Sequence, residues 1–207
     1  PIADFFNHLG YHSSIFYYRE NKLKYPEIFK EAKMIVDAYK KHPLIKDIIV
    51  IGFSAGGHFA SYLLTVYKDD FKAGILCYPV ISSDPAIRHE GSFFNLLNDL
   101  KDEADLHAVS TDLQITKGMP PIFIWHTETD GAVPVENTKR FVRGLKEHHV
   151  AYELRLFPKG GHGLSLITPE TVVEGMDVDT YINENKEVQI WTEYLKVWLL
   201  NLEAHHD

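Results

Sequence analysis

Along this chain, short runs of β-branched and aromatic residues alternate with longer stretches whose apolar positions recur every three or four residues. The short runs predict strands at 13–18 (SSIFYY), 48–51 (IIVI), 73–78 (AGILCY), 122–125 (IFIW) and 152–157 (YELRLF). The run at 48–51 is continuously apolar, as a strand covered on both faces requires. Pro79 ends the third run, and Pro120-Pro121 introduces the fourth. The longer stretches predict helices at 26–41, 54–67, 136–149 and 187–202. Pro26 suits a first helical turn, with Ile28, Ala32, Ile35 and Tyr39 at helical spacing behind it. In the last helix, Ile190, Tyr194, Val197 and Trp198 share a predicted face.

Strands that alternate with helices imply βαβ units, and so a mostly parallel sheet with helices on both faces. The stretch 82–119 interrupts this alternation, with a helix-like piece at 93–106. An insertion of that length points to a functional loop or a cap. The 207 residues suit one domain, 1–207, carrying 82–119 as a cap-like insertion.

Charge narrows the ligands. Lys and Arg number 21 against 29 Asp and Glu, a formal net charge of −8. An acidic chain without a basic block is a poor partner for nucleic acid. No apolar run approaches the roughly 18 residues needed to cross a membrane. The single cysteine, Cys77, excludes an internal disulfide framework and a cysteine-based zinc site. It reads as a small buried apolar residue and is compatible with a cytoplasmic location. The chain starts at Pro1 without Met, so a longer natural N-terminus is expected.

The chemistry is concentrated in Gly52-Phe53-Ser54-Ala55-Gly56, a G-x-S-x-G pattern between a predicted strand and a predicted helix. That context is the one a nucleophile elbow needs. The turn is so tight that side chains at positions 52 and 56 would meet backbone, while Ser54 is held at the strand's C-terminal end. The Ala55 N–H then lies where it can stabilise an oxyanion. A serine hydroxyl is a weak nucleophile and needs a base, itself oriented by an acid. Asp130 follows the strand at 122–125, and His162 follows the strand at 152–157. The order Ser, acid, His is the one this elbow accompanies. If the strands are parallel, all three residues reach one sheet edge, where open α/β sheets place ligands. Glu128 is the alternative acid. Of the 12 histidines, His148-His149 and His205-His206 read as exposed, and His58 and His126 as structural, while His89 has no assignment from pattern alone.

These motifs resemble the α/β-hydrolase family, and within it the esterase/lipase group that includes acetyl esterases and acetylxylan esterases. The resemblance rests on GFSAGGHFA (52–60), HEGSFFNLL (89–97), PPIFIWHTETDGAVPVENT (120–138), LFPKGGHGLSL (156–166) and the pair Tyr18-Arg19. It implies Ser54 as nucleophile, Asp130 as acid and His162 as base, acting on short acyl esters without a cofactor. It also implies a glycine-rich oxyanion loop and further strands ahead of the first helix. Residues 2–11 are similar to that first helix and the turn after it. The expectation is therefore an α/β-hydrolase domain lacking its N-terminal strands and oxyanion loop.

Around such a site, His89, Phe93 and Phe94 are candidate pocket residues, Phe93 and Phe94 doubling as candidate core. Trp191 and Trp198, seven apart, suit core packing first and a homo-oligomer interface second. The expected partner is a small ester. A serine peptidase of the prolyl-oligopeptidase kind, or a non-catalytic scaffold on the same fold, are the alternatives.

Overall fold

Four parallel strands pair in chain order: β1 (Ile49–Phe53), β2 (Ala73–Cys77), β3 (Ile122–Thr127) and β4 (Tyr152–Phe157). The computed structural model describes residues 1–17, 23–172 and 174–204. Tyr18-Arg19 and His205-His206 lie outside the described residues. The register runs Phe53 beside Cys77, Cys77 beside Trp125 and Thr127 beside Phe157, so the strand C-termini form one edge.

Alternation along the strands divides the core into two layers. From β3, Ile122 and Ile124 face one layer, with α2 (Glu27–Lys40), α3 (Ala55–Val66) and α6 (Glu136–Glu147). Phe123 and Trp125 face the other, with α1 (Ile2–His8) and α9 (Trp191–Ala204). Both central strands, β2 and β3, are buried at every position, Cys77 included, as a sheet covered on both faces dictates.

Residues 13–17 form no strand among the described residues. Ile15 is 58% and Tyr17 78% exposed. The Ser13 hydroxyl donates to the Ala3 carbonyl, and the Ser14 hydroxyl bonds the Tyr39 hydroxyl. Phe16 stacks on Phe59 at 5.1 Å. The segment has strand-forming residues, but its bonds go to side chains and to α1 instead of a sheet ladder.

Two helix faces are rotated from the pattern. In α2 the buried stripe is Ile28, Phe29, Ala32 and Val36, because Phe29 stacks on Tyr62 at 3.7 Å, and Ile35 turns outward. The predicted closing helix is two, α8 (Lys186–Gln189) and α9, with α7 (Val178–Glu184) ahead of them. Trp191, Leu195, Trp198, Leu199 and Leu202 face inward, while Ile190 and Val197 are exposed. Stacking of Trp191 on Trp125, at 5.1 Å and 23°, sets that rotation. Both tryptophans of α9 thus belong to the core.

The stretch 82–119 holds α4 (Glu90–Leu97) and α5 (Glu103–Val109) in place of the single helix-like piece at 93–106. Asn98 turns left-handed after α4, and the Asp102 carboxylate accepts from the N–H groups of Ala104 and Asp105 to start α5. The stretch is pinned to the sheet layer by buried polar groups. The Asn137 side-chain carbonyl accepts from the N–H groups of Ile81 and Ser82, and its amide donates to the carbonyls of Ile87 and Pro134. His58 Nε2 donates to the Val109 carbonyl at 2.7 Å, and Ser61 bonds Thr111. The fully buried His58 imidazole is held neutral. Burial pushes it down to about 4, against the opposing pull of the Val109 carbonyl and Asp112.

Because its folded value lies below the unfolded one, His58 supports the fold fully above about pH 6.5. That support is lost as pH falls towards 4. The wild-type chain is expected to lose roughly 3 kcal/mol more between pH 7 and 4 than His58→Gln, whose amide keeps a donor for Val109 but cannot titrate. Denaturant unfolding at the two pH values measures this. Equal losses in both proteins would contradict the assignment.

Candidate active site

Ser54 sits between β1 and α3 with φ 54° and ψ −119°, a region that L residues avoid. The turn closes because Gly52 has no side chain. A Cβ there would lie 2.0 Å from the Gly56 carbonyl oxygen. A second close approach, at Gly57, faces the Pro79 side chain at 2.6 Å. Backbone bonds hold the strained residue from both sides. The Ser54 N–H donates to the Cys77 carbonyl, and the Ser54 carbonyl accepts from the N–H groups of His58 and Val80. Ala55 then heads α3, so its N–H is among those left without an intrahelical partner.

His162 and Asp130 reach the same edge from the loops after β4 and β3. The Ser54 hydroxyl is 2.7 Å from His162 Nε2, and His162 Nδ1 is 2.7 Å from Asp130 Oδ2. A carboxylate can only accept, so Nδ1 carries the proton and Nε2 is free to accept from Ser54. The Tyr78 ring meets the imidazole edge-on at 5.0 Å.

Asp130 has no exposed side-chain surface. Burial works to raise its carboxyl, but bonds from His126, His162 and the N–H groups of Val133 and Ala132 outweigh that cost. They hold it well below the usual carboxylate range. The group is therefore a charged acceptor at neutral pH. Glu128, the alternative acid, is half-exposed and lies 3.8 Å from Lys139.

The His162 loop is fastened at both ends. Ahead of it, Gly160 has φ 145°, and a Cβ there would meet the Thr127 methyl at 2.6 Å. The hydroxyls of Thr127 and Thr129 both donate to the Gly160 carbonyl. Behind it, Ser165 and Ile167 also have positive φ. Tyr78, Tyr181, Gln189 and Trp191 bond the backbone between Leu164 and Ile167. Thr127 and Thr129 fall within the stretch 120–138 and Trp191 on the last helix, but nothing in their spacing ties them to the His162 loop.

Each of the pocket candidates has its own surroundings in the fold. His89 caps α4 and bonds Ser92. Phe93 is buried, edge-on to His58 at 5.1 Å, so it is a core residue. Phe94 is 54% exposed. His126, read as structural, is fully buried, and its Nε2 lies 3.1 Å from Asp130 Oδ2. The signal for it was its position four residues before the acid at the end of the same strand.

The two steric statements about the elbow have opposite consequences for stability. Ser54→Gly is expected to stabilise the fold by about 1 kcal/mol, because glycine adopts the Ser54 backbone without strain. Gly52→Ala is expected to cost about 3 kcal/mol or more through its contact with the Gly56 carbonyl. Denaturation midpoints measure both, and shifts of the same sign would contradict the strained-turn description.

A model of the prolyl oligopeptidase family matches residues 11–176. Endo-1,4-beta-xylanase B of Butyrivibrio fibrisolvens is 34% identical over 139 residues, covering 60% of this chain and 22% of that protein. An acetylxylan esterase of Xylanibacter ruminicola is 32% identical over 128 residues, covering 59% of this chain and 27% of that protein. The chain thus matches about a quarter of the length of these two relatives. Among solved structures, the acetyl ester-xyloside bifunctional hydrolase of Caldicellulosiruptor lactoaceticus superposes with a TM-score of 0.82 at 32% identity. That likeness covers 98% of this chain and 76% of the other. The family match takes in all four strands, the elbow and both later loops, and the chain belongs to the prolyl oligopeptidase family, on the α/β-hydrolase fold.

Proposed function

We propose that this chain is a carboxylic ester hydrolase acting on short acyl esters, with acetyl groups on xylose-based sugars as the preferred class. The observation that carries this reading is the unbroken hydrogen-bond line from the strained Ser54 hydroxyl through His162 to the buried Asp130 carboxylate. The sugar part of the proposal is drawn from the names of the relatives, an acetylxylan esterase and an acetyl ester-xyloside hydrolase. Cleavage of the sugar–sugar bond itself proceeds through two carboxylates. The site described here has a serine and an imidazole in that position, which favours the acyl bond as the one broken.

In the proposed mechanism, Ser54 Oγ attacks the ester carbonyl carbon while His162 Nε2 takes the hydroxyl proton. The carbonyl oxygen becomes an oxyanion, which the Ala55 N–H at the head of α3 stabilises. Asp130 keeps the proton on His162 Nδ1 and stabilises the imidazolium. The imidazolium returns its proton to the departing alcohol, leaving the acyl group on Ser54. Water, deprotonated by the same Nε2, then attacks the acyl-enzyme, and the imidazolium returns that proton to Ser54 Oγ as the acyl–oxygen bond breaks and the acid leaves. In this reading α4, α5 and the rest of 82–119 form the cap over the substrate.

The family match favours a second reading, a serine peptidase using the same three residues. Leaving-group chemistry separates the two. Purified protein is assayed on p-nitrophenyl acetate, p-nitrophenyl octanoate, acetylated xylo-oligosaccharides and a prolyl p-nitroanilide peptide. The ester reading predicts turnover of the acetyl substrates, a preference for acetate over octanoate of about tenfold or more, and no release of nitroaniline. It also predicts that Ser54→Ala lowers kcat by at least about 10³-fold. Turnover of the peptide alone would favour the peptidase. Equal rates for wild type and Ser54→Ala would remove the triad from the account.

A further inference from the structure

Asp130 Oδ2 accepts from two imidazoles, and only one of them touches Ser54. The second is His126, on β3, fully buried four residues before the acid. Its Nε2 lies 3.1 Å from Asp130 Oδ2 and 3.0 Å from the Val133 carbonyl oxygen. Both neighbours are acceptors, so Nε2 carries a proton and shares it between them. In the neutral ring Nδ1 is then the acceptor, and the Thr138 hydroxyl, at 2.8 Å on α6, donates to it. A chain of donors therefore runs from Thr138 through His126 to Asp130, arriving on the oxygen that His162 uses.

We propose that His126 is a positioning residue for the triad: it fixes the plane of the Asp130 carboxylate so that Oδ2 faces His162 Nδ1. The proposal rests on the triad reading given above. Asp130 Oδ1 is held by the N–H groups of Ala132 and Val133 at 2.9 Å each. Those two bonds anchor one oxygen and leave the carboxylate plane to be set at the other. His162 lies on a loop and is partly exposed, with 23% of its side chain accessible, so it cannot set that plane alone. His126 lies within a strand and is locked by β3, α6 and the Val133 carbonyl. It supplies a second, fully buried reference for the carboxylate that His162 meets from its loop.

The charged and titratable groups around this pair are few. His162 faces it from the loop after β4, and Tyr78 from the end of β2. Burial pushes the Tyr78 hydroxyl up, so it stays neutral. Glu128 and Lys139 lie at the exposed rim. Among the described residues, the side-chain hydrogen bonds to Oδ2 are those of His126 and His162.

The test combines proton NMR of His162 with turnover of p-nitrophenyl acetate in His126→Phe, His126→Gln and Thr138→Val. Phenylalanine fills the space but donates nothing. Glutamine places an amide N–H near the Nε2 position. Valine removes the hydroxyl that fixes the His126 tautomer. The downfield Nδ1–H signal of His162 is expected to be sharp in wild type, lost to exchange broadening in His126→Phe, weakened in Thr138→Val and restored in His126→Gln. In step with this, kcat is expected to fall between about tenfold and a hundredfold in His126→Phe, with KM unchanged, and to recover in His126→Gln. A sharp Nδ1–H signal at the wild-type position in folded His126→Phe would overturn the proposal. If His126→Phe does not fold, an unchanged signal in Thr138→Val overturns it instead. Should the signal behave as expected while wild type hydrolyses no ester, the ester-hydrolase reading fails and the positioning role stands.

Discussion

The turn at Ser54 is the constraint on which the rest of the molecule depends. A strand and a helix that follow each other without a connecting loop cannot meet unless one residue takes a backbone conformation that side chains disfavour. Here that residue is the serine, at φ 54°. The conformation costs about 1–3 kcal/mol and is tolerated because the surroundings leave no alternative. Gly52 admits the Gly56 carbonyl, Gly57 admits Pro79, and the carbonyl of Cys77 and the N–H of Val80 bond Ser54 from the neighbouring strand end. The result is a hydroxyl fixed at the sheet edge by backbone, with no freedom to retreat into the turn.

Everything else at that edge is arranged to meet it. Parallel pairing brings the ends of β3 and β4 level with the end of β1, and the loops after them carry Asp130 and His162. Loops are ordinarily imprecise supports. These two are made precise by side chains with no chemistry of their own: Thr127 and Thr129 on one flank of His162, and Tyr78, Tyr181, Gln189 and Trp191 on the other. The aromatic layer beneath, where Trp125 stacks on Trp191, links that fastening to the core. Mechanical support for the His162 loop therefore begins in the packing of the last helix.

Much of this was legible in the sequence, for physical reasons. A parallel strand covered on both faces must be continuously apolar, so AGILCY and IFIW stand out as the central strands β2 and β3, while YELRLF alternates with charged residues and it and IIVI supply the half-buried outer strands of the described sheet. The elbow was legible because steric demand at Gly52 leaves one residue type. Asp130 and His162 were legible from chain order and from their places after strands. Residues 13–17 misled because strand propensity does not supply a pairing partner, and their hydroxyls bond elsewhere. The faces of α2 and α9 were misjudged because aromatic stacking of Phe29 and Trp191, both long-range contacts, rotated them. His126 reads as a structural histidine, and its burial and bonds agree with that reading. Which oxygen it also bonds is decided by a turn four residues later, beyond the reach of the pattern.

The central claim is that Ser54 is a nucleophile made reactive by His162. Labelling with a fluorophosphonate, followed by peptide mass spectrometry, tests it without assuming a substrate. The account predicts a single adduct on Ser54 in the wild-type chain, and labelling slowed by about 10³-fold or more in His162→Ala. An adduct on another serine, or equal labelling rates in the two proteins, would contradict it.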